Sequence, residues 1–146
     1  MLRTLAVFAI ALLIAVPAQA QIGQQVLEAL QKGDRAAIKQ LIDSNPTEAG
    51  AIARSIVSFV RESVPNNPDF LGEQMETVST LCGGDVKADD ATGLAQELRG
   101  LVSALKESAQ QTGEQNSAML ASALGCAGSP AIVAVDPELY SLLLVD

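Results

Sequence analysis

Histidine is absent from this chain. Its absence removes the commonest general base, the commonest zinc and copper ligand and every Ser-His or Cys-His nucleophile pair. The Glu-x-x-His motif of di-iron bundles goes with it. Tryptophan is missing too, and Phe8, Phe59, Phe70 and Tyr140 are the only aromatic residues, a thin supply for the stacking platforms of sugar sites. No GxGxxG, phosphate-loop or GxSxG pattern occurs, and no CxxC. The sequence therefore nominates no catalytic, cofactor-binding or metal-ligating residue, and it reads as a non-enzymatic protein without a cofactor.

Basic side chains are scarce and unevenly placed. Nine Lys and Arg face 17 Asp and Glu, for a net charge of −8, and no base follows Lys106. Phosphate binding draws on clusters of Lys and Arg, so nucleic acid is not expected as a partner. Anionic membrane surfaces are disfavoured for the same reason.

Apolar runs long enough to span a bilayer are also lacking. The longest, Leu5 to Val16, has 12 residues, against the ~20 a spanning helix needs. Arg3 precedes it, Pro17 ends it, and Ala18-Gln19-Ala20 offers small residues at both positions a signal peptidase reads. Residues 1–20 thus read as a secretory signal peptide cleaved between Ala20 and Gln21. The processed chain, 21–146, is one domain's worth of sequence. It loses one Arg and no acid, so its net charge is −9. No Asn-x-Ser/Thr sequon is present, because Asn45-Pro46-Thr47 has Pro in the middle. A periplasmic or secreted location is expected, with another exported or envelope protein as partner and no stable membrane span after cleavage.

What the chain does have is helical periodicity. Ile22, Val26, Leu27 and Leu30 form a first stripe, broken at Gly33-Asp34, where Asp34 is placed to cap a second helix striped by Ile38, Leu41 and Ile42. Asn45-Pro46 and Asn67-Pro68 read as N-cap and first position of the next two helices. The third carries Ala49, Ile52, Ala53, Ile56, Phe59 and Val60 on one face and is stopped by Pro65; the fourth carries Leu71, Met75, Val78 and Cys82 and stops at Gly83-Gly84. A fifth helix over about 90–110 has Leu94, Leu98, Leu101 and Leu105. Gly113 marks a bend, and a sixth helix has Met119, Leu120, Ala123 and Leu124. After Pro130, "AIVAV" is apolar without helical period, and Asp136-Pro137-Glu138 opens a short turn of helix into "YSLLLVD". Residues 29–46, "ALQKGDRAAIKQLIDSNP", resemble the paired short helices of an ankyrin repeat around a Gly-Asp turn. They lack the T-P-L-H element, and no second copy follows.

An internal echo is more specific. RSIVSFVRES at 54–63 and RGLVSALKES at 99–108 agree at five of ten positions, and Met75-x6-Cys82-x-Gly84 matches Met119-x6-Cys126-x-Gly128. The echo reads either as a duplicated helical hairpin, 54–84 and 99–128, or as coincidence in Ala- and Ser-rich helical sequence. Two copies are too few for a solenoid. The expected fold is all-α: a small closed bundle with an apolar tail, 129–146, packed on it.

Cys82 and Cys126 fall at the ends of the echoed helices. In an oxidising compartment an even pair of cysteines forms a disulfide; two buried free thiols and a functional thiol are the other readings. Zinc wants four N or S ligands, and a helix C-terminus works against a thiolate. "DVKADD", 85–90, lacks the spacing and the glycine of a calcium loop. It reads as a connection in which Asp89 or Asp90 caps the fifth helix. Glu73 and Glu76 share a helix face and read as solvated acids. Two functions stay open: a helical interaction or structural module, and a binding protein for an apolar small molecule or lipid held between the hairpins. Met75 and Met119 supply adaptable packing for the second.

Overall fold

The computed structural model describes residues 18–64, 66–84, 86–108 and 113–144. Within them lie eight α-helices, one 3-10 turn and no strand: a small all-α bundle. The helices are α1 (Ala18–Lys32), α2 (Arg35–Ser44), α3 (Ala49–Ser63), α4 (Pro68–Cys82), α5 (Ala88–Glu107), α6 (Gly113–Ala127), α7 (Pro130–Val135) and α8 (Leu139–Leu144), with the 3-10 turn at Pro46–Glu48.

Local chemistry sets the first corner. Gly33 sits at φ +65°, the left-handed region that closes many helices. The Gly33 N–H donates to Leu30 O and the Asp34 N–H to Ala29 O, which satisfies two carbonyls at the end of α1. Asp34 then turns to α2, its Oδ1 accepting from the Ala37 N–H at 3.1 Å.

The other expected caps differ. Asn45 accepts no N–H from the following helix. Its Nδ2 instead donates to Leu41 O at 2.8 Å, so Asn45 finishes α2 and leaves Pro46 to start a 3-10 turn. Asn67 is left-handed at φ 49° and makes no side-chain cap. Nor does Asp89 or Asp90 cap α5. That helix begins at Ala88, after an extended Lys87, and both acids fall in its first turn. There they face the positive end of the helix dipole, which suits them without a cap bond. Pro65, Asp85 and residues 1–17 of the expected signal peptide lie outside the described residues.

Helices α3, α4, α6 and α5 form the central ring in that order, each touching its neighbours. Because α4 and α5 do not adjoin in this order, the 83–87 connection crosses the end of the bundle diagonally. Two of the adjacent pairs, α3 with α5 and α4 with α6, run parallel. Along α3 and α5, Gly50 meets Asp90, Arg54 meets Gly93 and Arg61 meets Gly100. Along α4 and α6, Ser79 meets Gly125 and Cys82 meets Cys126. α1 lies on α3, α7 on α5, and α8 on α6. The core they enclose is aliphatic, with Ile52, Ile56, Leu71, Leu94, Leu98 and Leu101 among its fully buried members.

The echoed helices therefore pair with each other. The α4 and α6 contacts fall at offsets of 44 and 46 residues, in step with the echo's own 44. The α3 and α5 contacts fall at 39 and 40, about one and a half turns out of step with its 45. α5 is longer at its N-terminus, 20 residues against 15 for α3, and slides along its partner.

The tail is helical where periodicity was not visible. Pro130 takes the first position of α7 after an extended Ser129, and its preset φ favours the helix start. Ile132 is buried from α7, Leu139 and Leu143 from α8.

Candidate functional site

The chemistry-bearing side chains are spread apart. Glu73 pairs with Arg35 of α2, not with Glu76: Arg35 Nε lies 2.6 Å from Glu73 Oε2 and Nη2 lies 3.3 Å from Oε1. The same guanidinium lies 5.2 Å from the centre of the Phe70 ring, within cation–π range. The hydrogen bond from Arg35 holds the Glu73 carboxyl below its usual range. Among the described residues, no three His, Cys, Asp or Glu come together as a metal site, and no helix is long and apolar enough to cross a membrane.

Cys82 and Cys126 are joined as a disulfide, with Cα atoms 5.1 Å apart. Both are buried at the C-terminal ends of two parallel helices. Beside the disulfide runs a groove of about 810 Å³. Its walls include Val86 from the crossing connection, Leu124 and Gly128 from α6 and its end, Pro130 and Ala131 from α7, and Tyr140 from α8. Met75 and Met119 are fully buried in the core, and neither lines this groove.

Tyr140, on the groove wall, is one of four large apolar side chains left exposed among the described residues. Val133, Val135, Tyr140 and Leu144 are 41, 39, 41 and 59% exposed. Val133 on α7 and Tyr140 and Leu144 on α8 each follow a buried residue, Ile132, Leu139 or Leu143, by one position, while Val135 lies on the other flank of α7. The turn between the two helices is pinned from below by Arg99 of α5. Its Nε donates to Asp136 Oδ2 at 2.6 Å and its Nη2 to Oδ1 at 2.8 Å, a two-pronged arrangement that fixes orientation. That hydrogen bonding holds the Asp136 carboxyl below its usual range. Arg99 is the echo of Arg54, which instead lies across Gly93.

Sequence reasoning brought the cysteines together through parity, compartment and the echo. It missed the Arg99–Asp136 and Arg35–Glu73 pairs, since separations of 37 and 38 residues carry no local signal. Compared with known protein families, with curated proteins and with solved structures, the chain matches none.

Proposed function

We propose that this protein is an exported, non-enzymatic helical interaction module that engages another exported or envelope protein through the outer face of α7 and α8. The observation that carries the reading is the exposure of Val133, Val135, Tyr140 and Leu144 on helices whose inner sides are well anchored. Tyr140 and Leu144 stand one turn apart on the same side of α8, and exposed apolar patches of this kind mark interaction sites. The rest of the reading is consistent with it: a signal peptide over 1–20, a disulfide suited to an oxidising compartment, and no histidine for chemistry. The pairing of α4 with α6 in step with the sequence echo supports a duplicated hairpin as the origin of the scaffold.

A photo-crosslinking residue placed at Tyr140 or Leu144 tests the module in intact cells. A discrete adduct is expected at both positions and not at exposed Lys39 on α2. Equal adducts at all three sites, or none at the α8 pair, would defeat the assignment of the face.

A second reading is a binding protein for an apolar small molecule or lipid, and the groove beside the disulfide favours it, since about 810 Å³ is within the range of ligand sites. Organic extraction of the purified, denatured protein followed by mass spectrometry decides this one. A stoichiometric lipid supports it, and an empty extract removes it.

A further inference from the structure

The expected cleavage leaves Gln21 as the first residue of the processed chain. Ile22, directly after it, is 7% exposed, and Val26 and Leu30 continue that buried stripe onto α3. The processed helix is therefore anchored from its second residue onward, while Gln21 itself is exposed. Cleavage puts a free α-amino group and a side-chain carboxamide together on this one surface residue. The first turn, Gln21-Ile22-Gly23-Gln24, holds no acid that could keep the amine as an ammonium ion. The positive end of the helix dipole disfavours that ion as well. An ordinary chain-end amine already titrates at about 7.7–8.0, so the neutral, nucleophilic amine is well populated at such an end.

Resting on the reading of residues 1–20 as a signal peptide, we propose that Gln21 is a modification site, at which the processed chain closes to pyroglutamate. The α-amino nitrogen attacks the side-chain amide carbon, Cδ. An N–Cδ bond forms and the Cδ–Nε2 bond breaks. The amide nitrogen leaves as ammonia, taking one proton from the amine, and no oxidant, reductant or second reactant enters. The ring contains only N, Cα, Cβ, Cγ and Cδ of Gln21, so the backbone from Ile22 onward keeps its helical path. Helices accept the similar ring of proline at their first position, where the N–H has no partner within the helix. The product is neutral at the positive end of α1, and it offers no free amine for an aminopeptidase to grip. That protection falls directly ahead of Ile22, the first core residue of the processed helix.

Intact mass and N-terminal sequencing of the exported protein, compared with Gln21→Ala, test the modification. The wild-type mass should be that of disulfide-bonded residues 21–146 less one ammonia. Stepwise N-terminal degradation should be blocked, and pyroglutamyl aminopeptidase should open it to a readout of Ile22-Gly23-Gln24. Gln21→Ala should show the undiminished mass of its own 21–146 chain and an open N-terminus. A wild-type chain of undiminished mass that reads Gln21 directly, and still does so after prolonged incubation at neutral pH, overturns the cyclisation and leaves export with cleavage standing. Loss of ammonia that persists in Gln21→Ala overturns it too, since another amide is then its source. A mass that retains residues 1–20, or places the cut elsewhere, is the separate failure of the signal-peptide reading and removes the cyclisation with it.

Discussion

Single residues on α3 and α5 show how closely two parallel helices approach, and what each contact tolerates. A Cβ at Gly50 would fall 2.8 Å from Asp90 Cβ, an atom fixed to the α5 backbone. A Cβ at Gly93 would fall 2.6 Å from Arg54 Cζ, the far end of an exposed, flexible side chain. Gly50→Ala must push two helices apart, and overpacking of this kind costs about 1–3 kcal/mol. Gly93→Ala only displaces Arg54 and recovers helix propensity of about 0.8–1 kcal/mol. Chemical denaturation should therefore rank Gly50→Ala clearly below wild type and Gly93→Ala near or above it. Equal losses would refute the contrast. The Arg99–Asp136 pair gives a second residue-scale test. Its carboxyl is held below the usual range, chiefly by the hydrogen bond from Arg99. The pair's contribution is fully present above the unfolded Asp value of about 3.9. It is lost as pH falls through the lower folded value, while Arg99 stays charged throughout. Asp136→Asn should flatten the fall in melting temperature below about pH 4, and an acid limb identical to wild type would show that the pair is not felt.

At the scale of elements, two staples hold the bundle's far end. The disulfide closes a loop of 44 residues between the ends of α4 and α6. The chain-entropy model gives ~4 kcal/mol for such a loop, a large share of the roughly 5–15 kcal/mol typical of a domain. Replacing both cysteines with alanine should lower stability by about that amount; an unchanged denaturation midpoint would mean that the parallel helices need no crosslink. The second staple is the tail. Ile132, Leu139 and Leu143 are buried, and each aliphatic side chain removed from water is worth about 1.5–3 kcal/mol. A chain ending at Gly128 should melt well below wild type or aggregate. If it melts at the same temperature yet loses its crosslinked partner, the tail serves docking alone.

For the whole molecule, sequence-level accounting reaches furthest at its two ends. The cleavage expected between Ala20 and Gln21 would begin the processed chain inside α1, which starts at Ala18. Ile22, Val26 and Leu30 remain to pack on α3. Intact mass of exported protein should lack the first twenty residues, and a full-length mass in that fraction would contradict export with cleavage. The helical class and most of the core stripes were legible, because 3.6-residue periodicity is local and aliphatic burial enforces it. Ile52, Ile56, Leu94, Leu98, Leu101 and Leu105 are buried as their spacing demands. Val57 is buried as well. α3 touches α1, α4 and α5, so its apolar arc is wider than one stripe. The cap residues were less legible, since an Asn beside a Pro can satisfy the helix behind it as readily as the helix ahead.

Periodicity, charge and composition settle the class of fold, the acid-only C-terminal segment and the absence of histidine chemistry, all of which depend on residue identity and near neighbours. The candidate face depends on something else. Ile132, Leu139 and Leu143 share one set of spacings, and Val133, Tyr140 and Leu144 repeat it one residue later. Both sets are apolar, so hydrophobicity along the chain does not choose between them. Packing does: α7 rests on α5 and α8 on α6, with Arg99 clamping the turn between them. That contact, made across 37 residues, turns Ile132, Leu139 and Leu143 inward and leaves Val133, Tyr140 and Leu144 facing out.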